Sequence, residues 1–386
     1  MTELPQRVRV VVLGAGLHGL GVLHDMLSRG WHDIVLLDVS EMQGEREDFQ
    51  LESLFSLFNL RDFRHIPKAI EELSYLQEIS GEYFHRLLNR LHLDDRSVFD
   101  KYFHQALVKS FRWLTRKAEL GKVRSIDTSG PPSANFMDAL VSASCLRDRL
   151  FNHASMQQVQ KVFGVKNLQL SAVEDGWELR FLRQGREVKL SSLYVVNALG
   201  TACNRFLAEN RLPLFWSSVN LERKVEVYQD LSAEPLTSAW ILPRFSNNLL
   251  LQLIPIGNRQ LLLTADQQRW GLKSEKESAE PNGRLLKAFH TVGILHDEHE
   301  LQLMKQETSY FAVLYETQRQ VASLKNVSPF ITAEHRSGRG LMISLYNMKT
   351  MTFRALGEEI GDRIVSHFGE NRRSQTRQAS WFRADG

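Results

Sequence analysis

One stretch near the start of this chain constrains its fold more than any other. Val8–Leu13 is a valine-rich run of the kind buried in a parallel sheet, interrupted by Arg9, and it leads straight into Gly14-Ala15-Gly16-Leu17-His18-Gly19. Apolar residues then recur at helical spacing through Arg29, and Gly30 is placed to end that helix. A second strand reads from Asp33 to Asp38. Each glycine of the turn has a physical task. Gly14 permits the tight exit from the strand, Gly16 keeps a side chain away from an approaching pyrophosphate, and Gly19 lets the helix pack closely on the sheet. The helix N-terminus adds unpaired N–H groups and a partial positive charge. Asp38 answers the turn from the end of the next strand, where a carboxylate accepts hydrogen bonds from ribose hydroxyls and repels a 2′-phosphate. These residues predict a dinucleotide-binding unit, and by themselves they suit NAD as well as FAD. His18 inside the turn has two readings, one facing the ligand and one merely solvated or capping the helix.

At 386 residues the chain has room for two domains, because single cores rarely grow beyond roughly 250–300 residues. Its 48 basic and 45 acidic residues are mostly interspersed and leave a net charge of +3, which argues against a nucleic-acid partner. Cys145 and Cys203 stand far apart and in no metal-ligand spacing, so the expectation is no disulfide framework, no structural zinc and a cytoplasmic location. The apolar run Val10–Gly16 is too short to span a bilayer and lacks the order of a signal peptide.

Further along, Phe49 to about Lys117 reads as helical, and Asn135–Asn152 as another helix. Met156–Arg183 reads as strands with a turn at Asp175-Gly176, and Leu193–Asn197 as a buried strand ending at Ala198-Leu199-Gly200. From about Leu214 to Leu272 short alternating strands dominate, including Ser238–Pro243, Leu249–Ile254 and Gln260–Ala265. That change from parallel to hairpin character marks the main domain boundary. Leu341–Leu345 reads as a last strand and Thr352–Phe368 as a last amphipathic helix, followed by a polar, basic tail.

Four separated segments together resemble the FAD-dependent D-amino-acid oxidase and glycerol-3-phosphate dehydrogenase superfamily. They are the glycine turn with Asp38; Val195-Val196-Asn197-Ala198-Leu199-Gly200-Thr201; Ile254-Pro255-Ile256-Gly257 with Leu263-Thr264-Ala265-Asp266; and Lys349-Thr350-Met351-Thr352-Phe353-Arg354-Ala355-Leu356-Gly357-Glu358. Phe63-Arg64, Ala69, Glu72 and Leu76 are similar to the dehydrogenase branch. The resemblance implies an α/β (α+β overall) protein, with a Rossmann-like FAD-binding domain and an inserted antiparallel-sheet substrate domain. The FAD domain would be discontinuous, from 1–90, 125–213 and 330–370. It implies a helical segment at 91–124, a substrate domain at 214–329 and a tail at 371–386. It also implies that Gly14, Gly16, His18 and Gly19, with Ala15 and Leu17 of the same turn, meet the pyrophosphate. Asp38 would hold the ribose, and Val159, in a strand Met156–Val162, would hold the adenine by its backbone. Ala198 and Gly200 would pass close to the phosphates. Asn347, Met348, Lys349, Thr350, Met351 and Thr352 would lie by the isoalloxazine carbonyl, where a helix dipole stabilises the charge of a reduced flavin.

The departures from the family are as informative. Its small-residue loop beside the flavin is replaced by Gly44-Glu45-Arg46-Glu47-Asp48. Two arginines of the dehydrogenase branch fall at Ser56 and Leu314, which removes the bidentate groups best suited to a phosphate substrate. The family's glycine pair is Asn347-Met348. Two candidates for the reacting centre remain. Lys349 pairs with a substrate anion or polarises the flavin, or is a solvated lysine at a helix start; Tyr346 stacks near the ring or packs in the core. Arg336, Arg339, Trp240 and Cys203 read more simply as surface arginines, core aromatic and buried thiol. The expectation is therefore an FAD-dependent oxidoreductase that takes a hydride from a small amine or hydroxy compound onto flavin N5. Dioxygen, a quinone or another carrier would accept the electrons, and the basic tail, Arg372–Arg377, would make at most a weak peripheral membrane contact. The alternatives are a flavin- or nucleotide-binding protein without the redox step, and an NAD-dependent dehydrogenase.

Overall fold

The structure, a computed structural model, describes residues 4–40, 49–52, 66–80, 84–92, 109, 123–127, 133–214, 217–243, 248–257, 259–268, 284–295, 301–315, 331–346 and 353–368. The chain begins with β1 (Arg7–Leu13), α1 (Leu17–Ser28) and β2 (Ile34–Leu37). β1 sits at the centre of the first sheet. It pairs in parallel with β2 on one side and with the second half of β10 (Arg186–Asn197) on the other. Outward from these, β7 (Gln160–Val162) adds to β2 and β17 (Gly340–Tyr346) to β10, both again in parallel. β16 (Ile331–Ser337) closes the β17 edge in antiparallel sense. The first half of β10 turns away from this sheet into an antiparallel meander with β8 (Lys166–Val173) and β9 (Gly176–Arg183).

Burial on both faces explains the near-continuous apolar sequence of β1. Val10 and Val12 enter a core with Leu20, Leu23 and Met26 of α1 and with Phe353, Leu356, Ile360 and Ile364 of the last helix. Val11 and Leu13 enter the opposite core, with Trp177, Phe181 and Leu207, the last from α4 (Cys203–Glu209). α1 and the last helix approach closely because Gly21 and Gly357 carry no side chain. A Cβ on Gly21 would lie 2.5 Å from the Phe353 carbonyl oxygen, and one on Gly357 would lie 2.5 Å from that of Gly21. The fully buried Asp25 binds Arg29 one turn on, and Arg29 also donates to Asp362 at 3.0 Å and to the Glu358 carbonyl at 3.1 Å. The first and last helices are thus clasped across 329 residues of sequence.

The second sheet has the order β15 (Leu301–Tyr315), β11 (Ser217–Asp230), β14 (Gln260–Gln268), β13 (Asn248–Pro255), β12 (Ala239–Pro243), β4 (Phe84–His92), β6 (Ser133–Ser142) and β3 (Phe49–Glu52), with β5 (Val123–Asp127) also on β6. One side carries a core of Tyr228, Trp240, Leu253, Leu263, Leu286 and Phe289, the last two from α5 (Arg284–Thr291). Several sequence expectations are corrected here. Helix is confined to α2 (Ile66–Ser80) among the described residues of 49–92, and strands β3 and β4 stand on either side of it. The segment read as one helix from Asn135 is strand β6 followed by α3 (Ala143–Asn152), with Ser142 as the N-cap accepting from the Cys145 N–H at 3.3 Å. Ladder partners from β3, β4 and β5 outweigh the local helical spacing there, a non-local effect. Residues 49–52, 84–90 and 133–142, expected within the FAD-binding part, hydrogen-bond within the second sheet. Of the expected helical segment 91–124, residues 91–92 end β4 and 123–124 open β5, and all but 109 of the remainder lies outside the described residues. The expected strand Met156–Val162 is a 3-10 turn, Ala154–Gln158, followed by the short β7. The three hairpin strands and the last strand and helix stand within two or three residues of their sequence positions.

Candidate functional site

β1, β2, β10 and β17 are parallel, so their C-terminal residues, Leu13, Leu37, Asn197 and Tyr346, share one edge of the sheet. The chain leaves β1 towards β2, while β10 lies on the other flank. Such a divergence opens a crevice at the strand ends, the usual ligand site of open α/β sheets. The glycine turn forms one wall. Gly14 has φ +104°, which side chains rarely adopt, and its N–H donates to the Leu37 carbonyl at 2.8 Å. A Cβ on it would lie 2.5 Å from the Ala198 carbonyl oxygen. Ala198 in turn donates its N–H to Leu13 at 2.9 Å, so the two turns that follow β1 and β10 lie back to back. Beneath them the fully buried Asn197 donates to Cys203 Sγ and Ser344 Oγ, both at 3.3 Å, and accepts from the Leu199 N–H at 3.4 Å. Cys203 is buried, and Gly200, at φ +57°, faces no atom within 4 Å of where its Cβ would stand.

Gly16 and Gly19 divide the remaining work. A Cβ on Gly19 would collide with the Gly14 carbonyl oxygen, so this position serves close packing of turn on helix. A Cβ on Gly16 would meet no atom within 4 Å. Gly16 is the N-cap of α1, no side chain caps it, and no acidic residue stands in the first turn. The helix therefore keeps its N-terminal positive end, with open space beside Gly16, which fits a diphosphate. Asp38 braces the same turn: its Oδ2 accepts from the Ala15 N–H at 2.5 Å, and its Oδ1 from Ser40 N–H and Oγ at 2.8 and 2.5 Å. An ionised carboxylate has about four acceptor sites, so capacity for a ribose hydroxyl remains. Ser40 was not foreseen, because an Asx-type contact two residues on carries no fingerprint of its own.

His18 is buried in the first turn of α1, which corrects the solvated reading, and Ala15 and Leu17 are partly buried against the core. Val159 ends the 3-10 turn, with its N–H committed to the Met156 carbonyl at 3.3 Å. Ahead of that turn lies a histidine pair that sequence reasoning passed over. His24 of α1 bonds the Leu150 carbonyl through Nε2 at 2.8 Å, and its ring meets His153 edge-on at 5.3 Å. Burial above all brings the His24 pKa down to about 4, with the Leu150 bond opposing the shift and the neighbouring His153 adding to it. Tyr346 is the last residue of β17, opposite Ile331. Asn347, Met348, Lys349, Thr350, Met351 and Thr352 lie outside the described residues, as do Gly44–Asp48, Ser56 and the tail. α6 (Phe353–Phe368) opens next to α1, and its Arg354 donates to the buried Glu72 of α2 at 3.0 Å and stacks 4.6 Å over Tyr75. Arg336 and Arg339 are exposed, and Trp240 is core, as their simpler readings expected.

The chain thus joins a parallel sheet, with a glycine turn at its divergence point, to a broad antiparallel sheet. No family model matches the chain, and no curated protein matches it in sequence. Solved structures of that architecture do match in fold. The dithionite-reduced L-α-glycerophosphate oxidase of Mycoplasma pneumoniae, with FAD bound, shares 12% identity over 94% of this chain and 95% of its own, at a TM-score of 0.70. Glycine oxidase of Geobacillus kaustophilus shares 15% identity over 98% of each chain, at 0.61. The glycerol-3-phosphate dehydrogenase of Bacillus halodurans, complexed with FAD, shares 14% over 96% of this chain and 67% of its own, at 0.62. The chain therefore has the fold of the FAD-dependent amino-acid oxidases and glycerol-3-phosphate dehydrogenases. Among the described residues, no helix is long and apolar enough to cross a membrane.

Proposed function

We propose that the chain is an FAD-dependent oxidoreductase acting on a small amine or hydroxy compound. The observation that carries this is the bare N-terminus of α1 at Gly16, set in a fold whose solved examples include FAD complexes. Gly14–Gly19 would hold the diphosphate through backbone N–H groups, and Asp38 the adenosine ribose. Ala198 and Gly200 would flank the phosphates, and Val159 the adenine. Residues 347–352, with Lys349, would border the ring carbonyl, and Tyr346 its face. When bound, FAD supplies an acceptor for a hydride at N5. The chain's own part is to place the substrate carbon there, exclude water and set positive potential near the ring; the electrons then leave to dioxygen, a quinone or another carrier. A small-molecule substrate and a cytoplasmic setting belong to the same reading.

The test is the visible spectrum of the purified protein, followed by titration with FAD and with NAD and by anaerobic addition of candidate amines and hydroxy acids. A flavin band that bleaches with one of them is the expected result. Binding of NAD in place of FAD, or no nucleotide binding at all, overturns the proposal. A second reading, nucleotide binding without the redox step, is favoured by Leu314 at a position where the dehydrogenases carry arginine; it stands opposite Ser218 in the second sheet. An FAD-loaded protein that no substrate bleaches supports that reading.

A further inference from the structure

The first sheet ends at β16, and among the described residues β16 pairs with β17 alone. Its other edge presents backbone N–H and C=O groups to a further strand. Side chains along β16 alternate between the two faces of the sheet. Ala333 belongs to the core of Val11 and Leu13, while Glu334 and Arg336 stand on the face towards α6. There the strand and the helix border a cavity of about 510 Å³, with Glu334, Arg336, Glu359, Asp362 and Arg363 on its walls. Arg363 donates to Glu334 Oε1 at 3.1 Å and to Glu359 at 2.6 Å, and Arg29 donates to Asp362 at 3.0 Å. Arg336 is held more loosely. It stands 3.9 Å from Glu334 Oε2, and 71% of its side chain is exposed.

Charge on an edge strand commonly serves to prevent pairing. On β16 the two signs sit two residues apart on one face, which forbids some pairings and favours one. When two copies of a strand meet antiparallel about a two-fold axis, residues directly opposite each other lie on the same face. The axis therefore passes through one residue and its own copy. An axis at residue 334 sets Glu334 against Glu334, and one at 336 sets Arg336 against Arg336; like charges directly opposite repel. An axis at 335 sets Glu334 against Arg336 of the second copy, twice by symmetry. The incoming guanidinium then arrives from the cavity side, where Glu334 Oε2 is the less engaged oxygen. On the other face this register sets Ala333 against Ser337 and His335 against His335. Burial holds the His335 pKa below its ordinary value, so those two rings meet uncharged at neutral pH. We propose that β16 pairs antiparallel with its own copy about a two-fold axis at residue 335, joining the first sheets of two chains into one.

Sedimentation velocity of the full chain across a wide concentration series is the test, and a monomer–dimer equilibrium is the expected result. Arg336→Glu gives up one exposed contact within the chain but sets carboxylate against carboxylate at both symmetric positions. It should weaken the dimer about 10- to 100-fold. Glu334→Arg sets guanidinium against guanidinium and should do the same. Mixed in equal amounts, the two variants should form a heterodimer, because each then meets the opposite sign on the other. Circular dichroism and thermal melts establish that each variant is folded. If Glu334→Arg, which also loses Arg363, does not fold, Arg336→Glu is compared with Arg336→Lys, which keeps the charge and should keep the dimer. A wild-type chain that stays monomeric at every concentration overturns the proposal. So does a dimer that Arg336→Glu leaves unchanged, or a pair of folded, reversed variants that do not combine when mixed. None of these outcomes bears on the flavin reading.

Discussion

Replacing Gly16 by valine and Gly19 by alanine separates a position kept open for a ligand from one kept open for the fold. A Cβ at residue 16 meets no protein atom within 4 Å, whereas at residue 19 it would run into the Gly14 carbonyl. Gly16→Val should therefore leave the nucleotide-free chain nearly as stable, at a cost of at most about 1 kcal/mol for losing glycine at an N-cap. Its side chain would, however, stand where the diphosphate approaches. If two charge-assisted N–H contacts to phosphate are lost, at about 1.5–3 kcal/mol each, roughly 3–6 kcal/mol of affinity goes, or about 100- to 10,000-fold in Kd. Gly19→Ala should behave in the opposite order. Overpacking costs about 1–3 kcal/mol of stability, and nucleotide binding falls only as far as the turn is displaced. Urea denaturation of the nucleotide-free variants and FAD titration by fluorescence quenching measure both quantities. A Gly16→Val protein that binds FAD like the wild type would refute the placement of the diphosphate. One that is as destabilised as Gly19→Ala would refute the separation of roles.

Acid should weaken the fold through His24. Its folded pKa of about 4 lies below the ordinary 6.5, so the unfolded state binds the extra proton. Stability is then fully present above pH 6.5 and is lost as pH falls towards about 4. The loss is at most about 1.4 kcal/mol per pH unit and sums to roughly 3 kcal/mol. Urea midpoints from pH 4 to 8 should flatten in His24→Gln, and an unchanged slope would show that another group is responsible. Glu72→Ala leaves the largely buried Arg354 with only the Glu358 carboxylate at 3.8 Å and should destabilise by about 3 kcal/mol, read from denaturant melts; a loss below about 1 kcal/mol would mean that the pair is dispensable. Asp38→Ala removes both the brace on the Ala15 N–H and the ribose acceptor. FAD affinity should fall by at least about tenfold, as for one charge-assisted hydrogen bond, and titration of the purified variant checks it.

The dinucleotide unit was legible in sequence because its signals are local. A strand buried on both faces must be apolar along its length, a tight turn at φ +104° needs Gly14, and the spacing to Asp38 follows from one helix and one strand. The hairpins from Ala239 to Gln268 were legible for the same reason, since alternation has period two whatever the partner. Strands β3, β4 and β6 were not, because their conformation comes from ladder partners far away in sequence, and an isolated Ser133–Ser142 carries helical spacing as readily. The same non-locality hid the buried hydrogen bond from Asn89 of β4 to Asp138 of β6, whose members are 49 residues apart, and the histidine pair, whose members meet only when α1 packs against α3. Sequence alone determined that a glycine turn joins β1 to α1, since that depends on a few bonded neighbours. Which side chains of the second sheet pack against the core beneath β1 and α1 depends on strand register across the whole chain, and only the tertiary structure decides it.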